Sequence, residues 1–452
     1  MISKYKIFSL GLVLSALIMR LSSSPTANLS FVLIALYGSL GRAQAIQALA
    51  LSWLFTLINP GIAPEANGAA IGRYFVIGTI AFSVAWREIR GSAGFPVRRL
   101  NMLTLCLGIL MLGHSLLFSA MVDVSILKVL SWIVVVLTLL SAWQGLQPLQ
   151  RLVVFNQLQL SLIWVILLSL PFLLIPSIGY LRNQAGFQGI LNHPQAFGPT
   201  VALVGAFLGG RIFGERKPAW RDIALLGMCC VLVVLSEART AGLAMILGLV
   251  GSALFSPFFA GMSRKTMLPG LRSRRFHAAA LVVVAGVLVM GPILAGTLAN
   301  YIFKRSDASS IIAAADASRG KLVESMLNNI SANSWTGIGF GIASDPENMT
   351  IDRDEFFGLP LSAPIEKGVM PIAILEELGI FCAVAVVVWF FVALRKGAMS
   401  GAPQFAILLT VILVNFGESM FFSVGGMGML LLILFTGAIT TRTSSFTINS
   451  NA

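Results

Sequence analysis

Apolar runs of roughly 15–22 residues recur along almost the whole chain. That is the length a helix needs to cross a hydrocarbon core of about 30 Å. Inside lipid every backbone polar group must be satisfied within the spanning structure, which leaves only helices and closed barrels. These runs do not alternate in polarity, so a barrel is excluded. The chain is 57% hydrophobic and 11% charged, where a water-soluble chain is about a quarter charged. The expected fold is an all-α polytopic membrane protein with about 12–14 transmembrane helices and one large, partly helical external loop. Fourteen candidate spans are counted: 6–20, 27–41, 43–58, 70–87, 101–120, 125–145, 157–176, 196–212, 222–236, 241–260, 277–298, 371–393, 403–418 and 423–440. The second and third are short. Lys4 and Lys6 precede the first run as they would in a signal peptide. No small-residue cleavage site follows, so the run is read as a span.

With that count the loops alternate in charge. One side carries Arg87, Arg90, Arg98 and Arg99, then Arg151, then Arg211, Arg216, Lys217 and Arg221, then Arg264 to Arg275, then Arg395 and Lys396. Lys/Arg enrichment in short loops marks the cytoplasmic side, and both termini fall there. The same rule accounts for the net charge of +13. Basic residues scattered over short loops do not make a nucleic-acid surface. Of 18 carboxylates, only Glu88, Glu215 and Asp222 lie on the basic side. The cysteines, Cys106, Cys229, Cys230 and Cys382, all sit in apolar runs, where they read as small core residues without disulfides. The organisation expected is a helical region 1–298, a long hydrophilic loop 299–370, further helices in 371–442 and a cytoplasmic tail 443–452.

Polar clusters collect on the acidic side. They are Asn192-His193-Pro194-Gln195; Ser236-Glu237-Ala238-Arg239-Thr240; Ser318-Arg319-Gly320-Lys321 with the turn Gly337-Ile338-Gly339-Phe340-Gly341; and Glu366-Lys367-Gly368 followed by Glu376-Glu377. Glu418 and Ser423 form a smaller one. Each has a plain structural explanation. His193 can satisfy loop backbone, Glu237 and Arg239 can pair in a tight turn, the glycines can form a simple turn, and Glu376 and Glu377 can complement a helix dipole. Their recurrence at one face points instead to a shared polar cavity. Arginine forks match phosphate oxygens, so Arg239, Arg319 and Arg73 are candidate pyrophosphate contacts. The carboxylates and His193 are candidate bases for an acceptor hydroxyl, with Glu237, Lys321, Glu377 and Glu418 as supporting polar groups. Asp345, Asp352 and Asp354 fit no calcium loop, and neither a metal nor a cofactor is expected.

NHPQAFG (192–198), LSEARTAGLAM (235–245), SRGKLVESMLNNISANSWTGIGFG (318–341) and AILEELGIFCAVAVVVWFF (373–391) resemble, in order and membrane side, motifs of the O-antigen ligase and O-antigen polymerase superfamily of bacterial membrane glycosyltransferases. The resemblance covers roughly 191–438. It implies a helical bundle of the inner membrane with one large periplasmic loop, an undecaprenyl-pyrophosphate-linked glycan as donor, and a glycan or lipid-linked acceptor. Arg239 and Arg319 would then contact pyrophosphate. The ligases carry a His-Asn pair where this chain reads Glu366-Lys367. Either Glu366 substitutes as base, or Lys367 is a further phosphate contact, or this branch acts differently. A polymerase, or a ligase with another acceptor, is the reading that follows, with polysaccharide export or chain-length proteins as possible partners. The alternatives are a flippase for lipid-linked oligosaccharides and a non-catalytic partner in an export complex.

Overall fold

A computed structural model describes residues 2–66, 68–91, 98–303, 311–354, 358–363, 365 and 367–442 of the chain. Within these, the side chains of 2–7, 287, 290, 292–303, 311–319, 321, 361 and 362 lie outside the description. The protein is all-α. Its helices are α1 (Ile2–Ser22), α2 (Ser24–Ser39), α3 (Arg42–Thr56), α4 (Ala69–Gly91), α5 (Arg99–Phe118), α6 (Val122–Gln144), α7 (Pro148–Ser169), α8 (Pro176–Gly179), α9 (Pro194–Gly214), α10 (Trp220–Leu235), α11 (Arg239–Ala260), α12 (Arg264–Met267), α13 (Arg274–Phe303), α14 (Ile311–Ala332), α15 (Met370–Ser400), α16 (Ala402–Val414) and α17 (Met427–Thr440). Between α14 and α15 lies a short antiparallel ribbon, β1 (Asp352–Arg353) with β2 (Pro360–Ser362). The four cysteines are free.

Seven helices among the described residues are long and apolar enough to cross a membrane: α4, α5, α6, α7 with its 3-10 extension to Leu174, α9, α11 and α15. Several further candidate spans are real helices of lesser length. The second and third are α2 and α3, of 16 and 15 residues. The last two are α16 and α17, of 13 and 14 residues. At helical rise the latter pair reaches only about 20 Å, short of a core of about 30 Å. Their role explains their length. The side chains of Met427–Ile439 are all buried, as are ten of the 13 of Ala402–Val414. They are the inner hairpin of the bundle, and an apolar run of this length is a core helix. Hydropathy alone cannot separate such a helix from a crossing one.

Helix α9 joins that hairpin at the centre, with 89% of its apolar window buried, whereas α4 at the periphery buries 22%. Close approach is made possible by small residues. Gly205 and Gly209, a GxxxG pair, face Met245 and Leu249 of α11, and Gly210 faces Pro403 of α16. An aromatic cluster fixes the connection between α16 and α17. Phe421 of that connection meets Phe435 at 4.9 Å, Phe390 at 5.2 Å and Trp389 at 6.1 Å. Phe422 meets Trp132 at 5.3 Å and Phe340 at 5.7 Å. These are offset or edge-to-face pairs within the range that aromatic rings favour.

Candidate active site

The long hydrophilic segment is anchored into the bundle by a break in α15. Gly379 has φ 65° and ψ 179°, which interrupts the helical ladder. Strangers from 334–339 take the vacated positions. Ile338 N–H donates to the Glu376 carbonyl (2.9 Å), Gly339 N–H to the Glu377 carbonyl (3.0 Å), and Ile380 N–H to the Ser334 carbonyl (3.0 Å). The approach is backbone to backbone. A methyl group on Gly337 would fall 2.6 Å from the Glu377 carbonyl carbon, and one on Gly379 would overlap the Trp335 carbonyl. Both residues also need positive φ. The glycine turn is thus a docking element rather than a loose connection.

Helices α5 and α6 hold the other side of that turn. Ala120 N–H donates to the Ile338 carbonyl (3.0 Å), and Ser125 Oγ to the Phe340 carbonyl (2.8 Å). Lys128 Nζ donates to the carbonyls of Gly341 (2.7 Å) and Ala363 (3.0 Å). His114 Nε2 bonds the Thr336 carbonyl, and His114 Nδ1 is buried with no hydrogen-bond partner among the described residues.

Lys367 is committed to the same junction. Its Nζ lies 2.7 Å from Glu376 Oε2 and 3.1 Å from Glu377 Oε1. Asn329 Nδ2 of α14 donates to Glu376 Oε1 (2.7 Å), and Gly341 N–H to Glu377 Oε2 (2.7 Å). Both carboxylates therefore share one lysine and have both oxygens occupied. Lys367, expected as a phosphate contact, and Glu377, expected as a supporting group, are internal ties in this geometry.

Five further predicted residues, His193, Glu237, Arg239, Glu418 and Arg73, lie at the end of the bundle that holds the connection 415–426. Arg239 opens α11, two residues after Glu237, which has φ 54°. A non-glycine residue held there is strained by about 1–3 kcal/mol. The turn packs on the first turn of α9: a methyl group on Gly198 would lie 2.7 Å from Ser236 Oγ. His193 caps α9, its Nδ1 accepting from Gln195 N–H at 2.9 Å. That bond leaves the ring proton on Nε2 when the imidazole is neutral, so His193 in this position is a donor rather than the base expected of it. Beside it, Asn192 Oδ1 is buried without a hydrogen-bond partner among the described residues. Gly417 abuts Thr240, which brings Glu418 next to the start of α11. Ser419 N–H then donates to the Lys367 carbonyl (3.0 Å), and Met370 N–H to the Asn415 carbonyl (2.9 Å). Asn415 holds the connection in shape, accepting from Met420 N–H and Phe421 N–H at 2.8 Å each. Arg73 of α4 reaches the far end: a methyl group on Gly425 would lie 2.8 Å from its Nη1. Its Nε is buried with no hydrogen-bond partner among the described residues.

Arg73, His193, Glu237, Arg239, Lys367, Glu377 and Glu418 are therefore brought to one end of the bundle. Arg319 and Lys321 fall on α14, but their side chains lie outside the description, and Glu366 lies outside the described residues. Among the described residues α9, α11, α15 and α17 are helices that begin at this end, the last linked to α9 by Thr200 Oγ1 against Met427 Sδ (3.9 Å). Sequence reasoning missed His114, Lys128 and Asn329. A charged or ionisable residue within an apolar run was the available signal for the first two.

No protein-family model matches the chain, and no curated protein matches it.

Proposed function

We propose that this protein is a membrane glycosyltransferase of the O-antigen ligase and polymerase type, moving an oligosaccharide from undecaprenyl pyrophosphate to a sugar hydroxyl without a nucleotide sugar. The observation that carries the reading is the start of α9, α11, α15 and α17 at one polar end, with Arg239 and Arg73 on either side of the connection 415–426. Helix N-termini carry partial positive charge and unpaired N–H groups, which suits an anion. Two arginines add the fork geometry that phosphate oxygens match. A pyrophosphate presented at a membrane-embedded protein implies a lipid-linked donor. The motif resemblance supports the same class.

In this reading the acceptor oxygen attacks the anomeric carbon and the bond from that carbon to the pyrophosphate oxygen breaks. Its electron pair stays with the departing pyrophosphate, where Arg239 and Arg73 stabilise the developing charge. His193 donates a further hydrogen bond through Nε2. The acceptor proton passes to a carboxylate, Glu366 or Glu418. With the arginine-rich loops in the cytoplasm, the protein sits in a bacterial inner membrane and the site faces the periplasm.

Mass spectrometry of undecaprenyl-linked glycans tests this in cells lacking the protein or carrying Arg239→Ala. Single repeat units accumulating at the periplasmic face mean a polymerase, and long lipid-linked chains mean a ligase. Units trapped at the cytoplasmic face, or no change, overturn the reading.

A further inference from the structure

The opposite, arginine-rich end holds a cavity of about 710 Å³ between α2, α3 and α4. Its walls include Ser39, Arg42, Ser83, Trp86, Arg87 and Arg90. The sequence builds it simply. Positions 83, 87 and 90 lie at i, i+4 and i+7 on the last turns of α4, one face of a helix. Helix α2 ends at Ser39, and α3 begins at Arg42 behind a glycine cap with no side-chain acceptor.

The polar groups are already ordered. Arg87 Nη2 donates to the Ser39 carbonyl at 2.7 Å, and Ser83 Oγ to the same oxygen at 3.2 Å. Arg42 pairs with buried Glu88 and lies against Gly145 at the end of α6, where any side chain would collide with the guanidinium. Three arginines line the cavity, and the carboxylate Glu88 is paired with Arg42, leaving an excess of positive charge. The Arg90 guanidinium stands 4.7 Å over the Trp86 ring, which stacks on Phe82 at 6.1 Å.

The cavity opens sideways. Phe82 is 70% exposed and Trp86 46%. They continue an outward stripe on α4 made by Ile71, Phe75 and Ile89, all exposed. A free anion would use only the arginines and hydroxyls. An amphiphile would use these together with the apolar stripe beside them.

We propose that this cavity binds an anionic phospholipid, its phosphodiester held by Arg87, Arg90 and the Ser83 hydroxyl and its acyl chains lying along Phe82, Phe75 and Ile71. Basic pockets between membrane helices suit such headgroups. The site is separate from the end assigned to glycosyl transfer and does not rest on that reading.

Native mass spectrometry of the full-length protein in detergent tests it, with phosphatidylglycerol, phosphatidylcholine and inorganic phosphate as probes. Phosphatidylglycerol should be retained in preference to phosphatidylcholine. Each of Arg87→Gln and Arg90→Gln should weaken it about fivefold, and the double variant about thirtyfold. Both residues are exposed, so the variants should elute and melt as wild type does. A control double variant, Arg216→Gln with Lys217→Gln, removes two exposed charges elsewhere and should leave retention unchanged. Equal retention by the Arg87 and Arg90 variants overturns the proposal. Equal loss in the control does so too, since it means diffuse surface charge. Displacement of the lipid by millimolar inorganic phosphate would make this a free-anion site instead.

Discussion

Lys367 Nζ lies 2.7 Å from Glu376 Oε2, and the two side chains are 2% and 0% exposed. Removing one partner of a sealed ion pair strands the other as an uncompensated charge, at a cost of about 3–5 kcal/mol. Lys367→Met should therefore lower the melting temperature of the purified protein sharply. Adding Glu376→Gln should recover part of the loss, because the fully buried carboxylate is then neutral while Glu377, the second partner of Lys367 at 3.1 Å, stays charged. Normal melting of Lys367→Met with impaired transfer would mean that Lys367 serves the substrate instead.

The docking of 334–339 into the break of α15 predicts a second phenotype. Gly379→Ala places a methyl group on the Trp335 carbonyl at a positive φ, so the two segments must part. Destabilisation of about 1–3 kcal/mol is expected. Limited proteolysis should cut between α14 and α15 faster than in wild type. An unchanged cleavage pattern would show that the docking is not required.

Arg239→Ala and Arg73→Ala should each reduce transfer by about 10²–10³-fold, the usual loss when one donor to developing charge is removed. The protein should still fold, since both side chains are partly exposed at the polar end. Lysine at either position should restore little, because it lacks the planar fork. Full activity in Arg239→Ala would remove the pyrophosphate contact from the scheme. Radiolabelled donor turnover in proteoliposomes is the measurement.

His193 separates a donor from a base. Its Nδ1 is engaged by Gln195 N–H. Asparagine is a strong N-cap, so His193→Asn should melt near wild type, while His193→Ala should lose about 1 kcal/mol. If His193 only caps α9 and donates a hydrogen bond, the asparagine variant keeps substantial transfer and an unchanged pH profile. Loss of the acidic limb of that profile, where protonation would silence a base, would identify it as the base after all.

Much of this arrangement is legible before any coordinates. Loop charge assigns the helix ends near His193, Arg239, Lys367 and Glu418 to one membrane side, and in the structure these residues lie at one end of the bundle. The external segment reads as partly helical, and its helix is α14. What hydropathy could not convey is depth. A 13-residue helix such as α16, inside a sheath of others, has the same composition as part of a crossing one. Nor does composition reveal which charges are mutually satisfied. Lys367, Glu376 and Glu377 looked like available chemistry, and only three-dimensional proximity to Asn329 and Gly341 shows them closed on each other. His114 went unnoticed because its partner, Thr336, lies 222 residues away along the chain.

The interrupted α15 bears on how a bulky glycan would come and go. Because 334–341 is stitched to α15 on one side and to α5 and α6 on the other, it cannot swing as a gate without dismantling a helix. If a glycan enters here, the described part of the segment that can still move is the β1–β2 ribbon, held to α6 through Arg353 and Asp123. A crosslink spanning 334–341 and α15 should therefore be harmless to turnover, whereas one that pins the β1–β2 ribbon to Asp123, its ion-pair partner through Arg353 at 2.6 Å, should slow it.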